Sequence, residues 1–247
     1  MLRCGGHSPA ANIVESRQEL RPLCSRPSVY ICGTRSGVIS ANIIFWEVDA
    51  QVDFMRPDGK LYVPGAESIV PNLKRLVRAA SEDHVLLISS ADAHNADDPE
   101  LSEWPPHCLK GTRGAELIEE AYASRRLTVP NERVYLFPED LSSYQQFIVQ
   151  KNTLNVFDNP NTDVLLRKLV KKPFSFGADT EYVVFGVVTE YCVAQAAEGL
   201  MKRGQRVAIV EDVVHSLDAA KGSAILNTLQ AQGAQMISTN QAIGLVM

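Results

Sequence analysis

The chain has 247 residues, 45% of them hydrophobic and 21% charged, with a formal net charge of −5. This is a globular composition, long enough for one well-buried core, and the acidic balance argues against a nucleic-acid or anionic-membrane partner. No run of about 18 apolar residues is present to cross a bilayer as a helix, and five cysteines without CxxC spacing point to reduced thiols in a cytoplasmic setting.

The first forty residues differ from the rest. They carry Arg3, Arg17, Arg21, Arg26 and Arg35 against Glu15 and Glu19, hold Cys4, Cys24 and Cys32, and show no clear periodicity. Richness in Arg and Ser with few acids suits a targeting peptide, but no amphipathic Arg-bearing helix is evident. A disordered extension or an over-long start is the preferred reading of residues 1–40. Residues 41–247 are then the folded domain.

From there strands and helices alternate. Asn42–Val48 is a near-continuous apolar run, as expected of a strand covered on both faces. Ala66–Ala80 has helical spacing at Ile69, Val70, Leu73, Leu76 and Val77. His84–Ser89 reads as a strand and Gly114–Ser124 as a helix with Leu117, Ile118 and Tyr122 on one face. A short strand is expected at Arg133–Phe137 and another at Phe147–Gln150, followed by a helix at Asn161–Val170. Tyr182–Val188 is the most β-branched run. A helix from Thr189 to Arg203 ends at Gly204, a natural C-cap. Arg206–Val210, Asp218–Gln232 and Gln235–Ile237 complete the pattern as strand, helix and strand. Alternating units of this kind predict a three-layer α/β/α fold around a mostly parallel six-stranded sheet.

In such a sheet the loops leaving the carboxyl ends of the strands form the ligand crevice. Asp49, the pair Asp92 and His94, Lys151 and Cys192 each lie just past an apolar run. Cys192 falls in the expected first turn of a helix, where the dipole and free N–H groups lower a thiol's pKa; a lone cysteine is otherwise an inert buried residue. Asp49 at a strand end can accept a thiol proton if burial raises its pKa, or it is structural. Lys151 can pair with Asp49 and hold a thiolate by charge, or simply be a solvated strand-end lysine. Asp92, His94, Glu100 and His107 form an oxygen/nitrogen donor set suited to Zn, Fe or Mn. The rival reading is that Asp97, Asp98 and Glu100 merely solvate a loop.

In combination these residues resemble the isochorismatase-like cysteine hydrolases, and among them the nicotinamidase subgroup. The likeness runs from about Asn42 to the end. It rests on the D-x-Q-x-D-F run Asp49–Phe54, the D-x-H pair Asp92/His94, Pro105–Pro106–His107–Cys108 followed by Gly111–Thr112, Lys151, and the G-V-x-T-x-Y-C-V run Gly186–Val193. The resemblance implies a catalytic Asp49, Lys151 and Cys192, and one divalent metal on Asp92, His94 and His107 with Glu100 as a further ligand. Zinc is the first choice of ion, iron and manganese the alternatives. It also implies a cis peptide at Val187–Val188, oxyanion donors on the backbones of Val188 and Cys192, and Phe54 and Trp104 walling a pyridine ring.

The implied activity is hydrolysis of nicotinamide to nicotinate and ammonia through a thioester. The alternative is an amidase of the same superfamily acting on another carboxamide, carbamoyl or ureido compound. The expected partner is a small-molecule amide, and a homo-oligomer is expected. Two departures stand out. Ala93 occupies the middle of D-x-H, where Trp is usual, which predicts a wider entrance. The stretch Ser124–Gln146 matches no motif of the family.

Overall fold

A computed structural model describes residues 43–82, 85–171, 174, 176, 177 and 179–247. The expectations for residues 1–40, and for strand starts at Asn42 and His84, lie outside them. Seven strands form one sheet: β1 (Ile43–Val48), β2 (Leu86–Asp92), β3 (Arg126–Val129), β4 (Gln146–Lys151), β5 (Glu181–Val187), β6 (Arg206–His215) and β7 (Gln235–Ile237). Their order is β3-β4-β2-β1-β5-β6-β7, and every pairing is parallel. Among the described residues the sheet thus has seven strands, equal in number to the seven runs read as strands and one more than the six-stranded sheet expected, and no antiparallel pairing.

A short helix, α1 (Val52–Met55), follows β1, and the side chains of β1 alternate and feed two cores. Ile43 and Phe45 pack on one face with Leu73, Leu76 and Val77 of α2 (Val70–Glu82) and Ala242 of α6 (Thr239–Gly244). Ile44, Trp46 and Val48 pack on the other with Leu165 and Leu169 of α3 (Thr162–Leu169), Ala197 and Leu200 of α4 (Ala194–Lys202) and Leu229 of α5 (Ala219–Ala231). Each large side chain buried this way contributes roughly 1.5–3 kcal/mol. Helix ends follow local chemistry. Asp218 caps α5 by accepting the N–H groups of Ala220 and Lys221, and Ser238 with Gln241 forms a capping box on α6.

Two expectations fail. Gly114–Ser124 is not a helix but two single 3₁₀ turns, Arg113–Ala115 and Glu119–Ala121, because the chain here bonds to the Asp49 region instead of to itself. Ile118 N–H donates to Ala50 O and Val52 N–H to Glu116 O. Arg133–Phe137 is not a strand. Tyr135 and Phe137 turn inward while Val134 and Leu136 stay exposed, and the edge position belongs to Arg126–Val129.

The centre of the sheet is tightest where β5 meets β1. Gly186 has φ +124, and a Cβ there would lie 2.1 Å from the Val48 carbonyl oxygen. Only glycine fits that backbone approach, which brings the end of β5 against the strand that delivers Asp49.

Candidate active site

β1 ends at Val48, and Asp49 then adopts a left-handed conformation, φ 51. Its N–H donates to Ser90 O at 3.1 Å, and the Ser90 hydroxyl donates to its Oδ1 at 2.9 Å. β4 ends at Lys151, whose side chain is 2% exposed. The ammonium lies 2.9 Å from Asp49 Oδ2, donates to Asp92 Oδ1 and reaches Cys192 Sγ at 3.5 Å. Cys192 sits in a single π-helical turn, Thr189–Val193, that leads into α4. That turn follows a cis peptide at Val187–Val188, and the Val188 carbonyl accepts the N–H groups of Tyr191 and Val193. Three strand ends thus bring an acid, an ammonium and a thiol into mutual contact.

The electrostatics differ from the sequence expectation at one point. The thiol of Cys192 is not depressed. Burial pushes it well above its usual value, Lys151 pulls it down, and the carboxylates of Asp49 and Asp92 push it up again. A helix terminus acts weakly against complete burial beside two acids. Burial likewise raises Asp49, offset by Lys151 and reinforced by Asp92. Lys151 is held charged, because the two carboxylates outweigh the opposing effect of burial. Against the push of burial, Lys151 and the neighbouring rings of His107 and His94 keep Asp92 well below the carboxylate range.

The loops after β2 carry the second cluster. One ligand atom from each of Asp92, His94, Glu100 and His107 can be chosen so that all lie within 4.8 Å of one another. His94 Nε2 is 3.9 Å and His107 Nε2 3.7 Å from Asp92 Oδ2. His107 Nδ1 bonds the Pro105 carbonyl at 2.8 Å, which turns Nε2 inward. Among the described residues neither ring nitrogen of His94 has a hydrogen-bond partner, a costly state for buried polar atoms that an ion would relieve at Nε2, the nitrogen facing Asp92. The donor set therefore fits a divalent cation. Asp97 and Asp98 stay outside it, although Asp98 Oδ2 lies 3.4 Å from His94 Nδ1.

Between the two clusters opens a cavity. Phe54, Leu61, Val63, Trp104, Leu154 and Tyr191 form its apolar walls, and Glu100, His107 and Cys192 its reactive end. The Phe54 and His107 rings are 5.4 Å apart, and Trp104 meets Tyr191 edge-on at 5.5 Å. Ala93 is not among the residues that line this cavity. It is 2% exposed and lines a separate cavity of about 250 Å³ with Lys110, Glu116 and Tyr122.

Sequence reasoning gave no role to several residues that shape the site. Ser90 fixes Asp49. Gln51 clamps Asp92, accepting its N–H at 2.7 Å and donating to its carbonyl at 2.8 Å. Asp53 accepts the N–H groups of Cys108 at 2.7 Å and Lys60 at 2.9 Å, pinning the loop behind His107. Gln51 and Asp53 stand in the D-x-Q-x-D-F run and Tyr191 in the G-V-x-T-x-Y-C-V run, so those motifs held the signal; Ser90, Leu154 and Leu217, which also lines the cavity, had none.

Known proteins share this fold. The family model described as "Isochorismatase domain" matches residues 44–134 and 128–241. A nicotinamidase of Acinetobacter baylyi is 27% identical over 219 residues, covering 79% of this chain and 92% of its own. The pyrazinamidase of Pyrococcus horikoshii, solved in complex with zinc, superposes with a TM-score of 0.62 at 24% identity, over 80% of this chain and 99% of that one. N-carbamoylsarcosine amidase from Thermoplasma acidophilum gives the same TM-score of 0.62 at 21% identity, over 81% and 97%. The chain thus belongs to the isochorismatase family, as one of its cysteine hydrolases.

Proposed function

We propose that the protein is a metal-dependent cysteine amidohydrolase whose substrate is an aromatic carboxamide, nicotinamide first. The observation that carries this reading is the pairing, across one apolar-walled cavity, of the Asp49–Lys151–Cys192 contact set with the Asp92, His94, Glu100 and His107 donors. The nicotinamidase and zinc-bound pyrazinamidase relatives support it.

Asp49, made more basic by burial, takes the proton of Cys192. Lys151 balances the charge that appears on sulfur. The sulfur attacks the carboxamide carbon, and the oxyanion rests on the backbone N–H groups of Val188 and Cys192. Asp49 returns the proton to the departing nitrogen, releasing ammonia and leaving an acyl thioester. Water, deprotonated by Asp49, then cleaves the thioester to give the carboxylic acid and the free thiol. A cation held by Asp92, His94, Glu100 and His107 supplies a Lewis-acid anchor for the ring nitrogen. Phe54 and Trp104 flank the ring, a contact worth about 1 kcal/mol beyond burial.

The test is ammonia release by the metal-loaded protein on nicotinamide, benzamide and a carbamoyl amino acid. Nicotinamide should exceed benzamide by at least about tenfold in kcat/KM, since only it has the ring nitrogen. Cys192→Ala should be inactive while still folding. Equal rates on the two aromatic amides would reject ring-nitrogen recognition. A faster carbamoyl substrate would move the protein to the ureido-type amidases.

A further inference from the structure

One carboxylate beside the site has no part in that mechanism. Glu47 lies on the central strand two residues before Asp49 and is completely buried. It is in register with Ser89 of β2 and Phe185 of β5, on the face of β1 that carries Phe45. An acid in that setting has a heavy desolvation cost unless it does something there. Its Oε1 accepts the N–H of Ala50 at 2.5 Å, while Oε2 has no hydrogen-bond partner.

Ala50 is where the chain leaves the sheet. The left-handed conformation of Asp49 turns the next N–H back into the core, where an unpaired donor would be costly. The Ala50 carbonyl is used on the other side, by Ile118 N–H at 2.8 Å. Ser89, opposite Glu47, accepts from Gln146 Nε2 at 2.8 Å, and Gln146 in turn holds Ala121 O and Ala123 N. Glu47 is therefore the anchor of the Asp49 turn within a polar network spanning β1, β2 and β4.

We propose that Glu47 is a positioning residue, whose Oε1 holds the Ala50 N–H and thereby aims the Asp49 carboxylate at Cys192. This rests on the amidase reading only for the reaction being measured. Burial raises the Glu47 carboxyl to about 8, so it is neutral at pH 7, and glutamine matches it in charge as well as in its acceptor.

The experiment compares wild type, Glu47→Gln and Glu47→Met. Two quantities are read: ammonia release, and the rate at which iodoacetamide alkylates Cys192, which depends on Asp49 as proton acceptor and needs no substrate. Glu47→Met, which has no acceptor, should lower kcat by about 10- to 100-fold, as small misplacements of a catalytic group do. KM should stay within about twofold, because the cavity wall is untouched, and alkylation should slow in parallel with kcat. Glu47→Gln should restore both to within about threefold of wild type. Alkylation and kcat of Glu47→Met equal to wild type would overturn the proposal. So would failure of Glu47→Met to fold while Glu47→Gln folds and works, since Glu47 would then serve folding alone. If no amide is cleaved even by wild type, the amidase reading fails and the alkylation rates still decide the role of Glu47.

Discussion

Lys151 shows how much one residue must balance here. It is fully buried and meets two carboxylates and a thiol, and burial of such a group is compensated only by partners of this geometry. Glu47 is the contrasting residue, an acid buried against the Ser89 hydroxyl and the Ala50 N–H with no opposing cation among its influences. Its carboxyl sits at about 8 in the folded chain against 4.5 for the free group. The folded state therefore holds the proton more tightly than the unfolded state. Its contribution is full below about 4.5, declines as pH rises, and is lost above about 8. At about 1.4 kcal/mol per unit, several kcal/mol are at stake between those limits. Glu47→Gln should remove that slope. Urea unfolding at pH 5, 6.5 and 8 is expected to show the difference between wild type and Glu47→Gln moving steadily in favour of the variant. A difference that stays constant with pH would mean that Glu47 is ionised in the folded protein.

The strands were readable as elements wherever an apolar run was long and buried on both faces, as at Phe147–Gln150 and Tyr182–Val188. The reactive residues were readable because they stand where those runs stop. Reading failed where local pattern and tertiary demand disagreed. The helical spacing of Leu117, Ile118 and Tyr122 lost to hydrogen bonds with the Asp49 turn. The alternation in Arg133–Phe137 looked like a strand, yet the edge went to Arg126–Val129, which buries only its last residue fully. Glu47 was hidden inside an apolar run. The thiol of Cys192 was misjudged because a helix end is visible in sequence, whereas burial beside Asp49 and Asp92 is not. Gly186 gives the test at this scale. A methyl group there would overlap the Val48 carbonyl of the neighbouring strand, a fixed backbone atom. Gly186→Ala should cost at least about 3 kcal/mol, the top of the ordinary range for a point change. Chemical denaturation would measure it, and a cost under about 1 kcal/mol would show that β1 and β5 can part without penalty.

Across the whole molecule, the strand order sets β1 at the centre with β2 on one side and β5 on the other. The chain leaves β1 and β2 at adjacent positions, and the crevice at their carboxyl ends receives both clusters. An ion bound there stabilises the folded chain by mass action, because the unfolded chain has no such site. Zinc at about a hundred times its dissociation constant should add about 2.7 kcal/mol. In a protein of this size that is a rise of roughly 5–10 °C in Tm. Scanning calorimetry of chelated and zinc-loaded protein should show the rise, and His94→Ala should abolish it. An unchanged Tm with zinc would reject the metal site independently of any activity.

The two clusters also have different ancestry within the chain. Asp49, Lys151 and Cys192 lie at or beyond the ends of three separate strands and meet only if the sheet is assembled. Asp92, His94, Glu100 and His107 come from one uninterrupted stretch beginning at the end of β2. Under the proposed function, a swap confined to residues 92–107 should carry the donor set and Trp104, but not Phe54, into another member of the fold, with its nucleophile left as it was. The fold thus draws the proposed ion site from one segment and the reactive set from several, and the two meet at Asp92, the last residue of β2, which Lys151 also contacts.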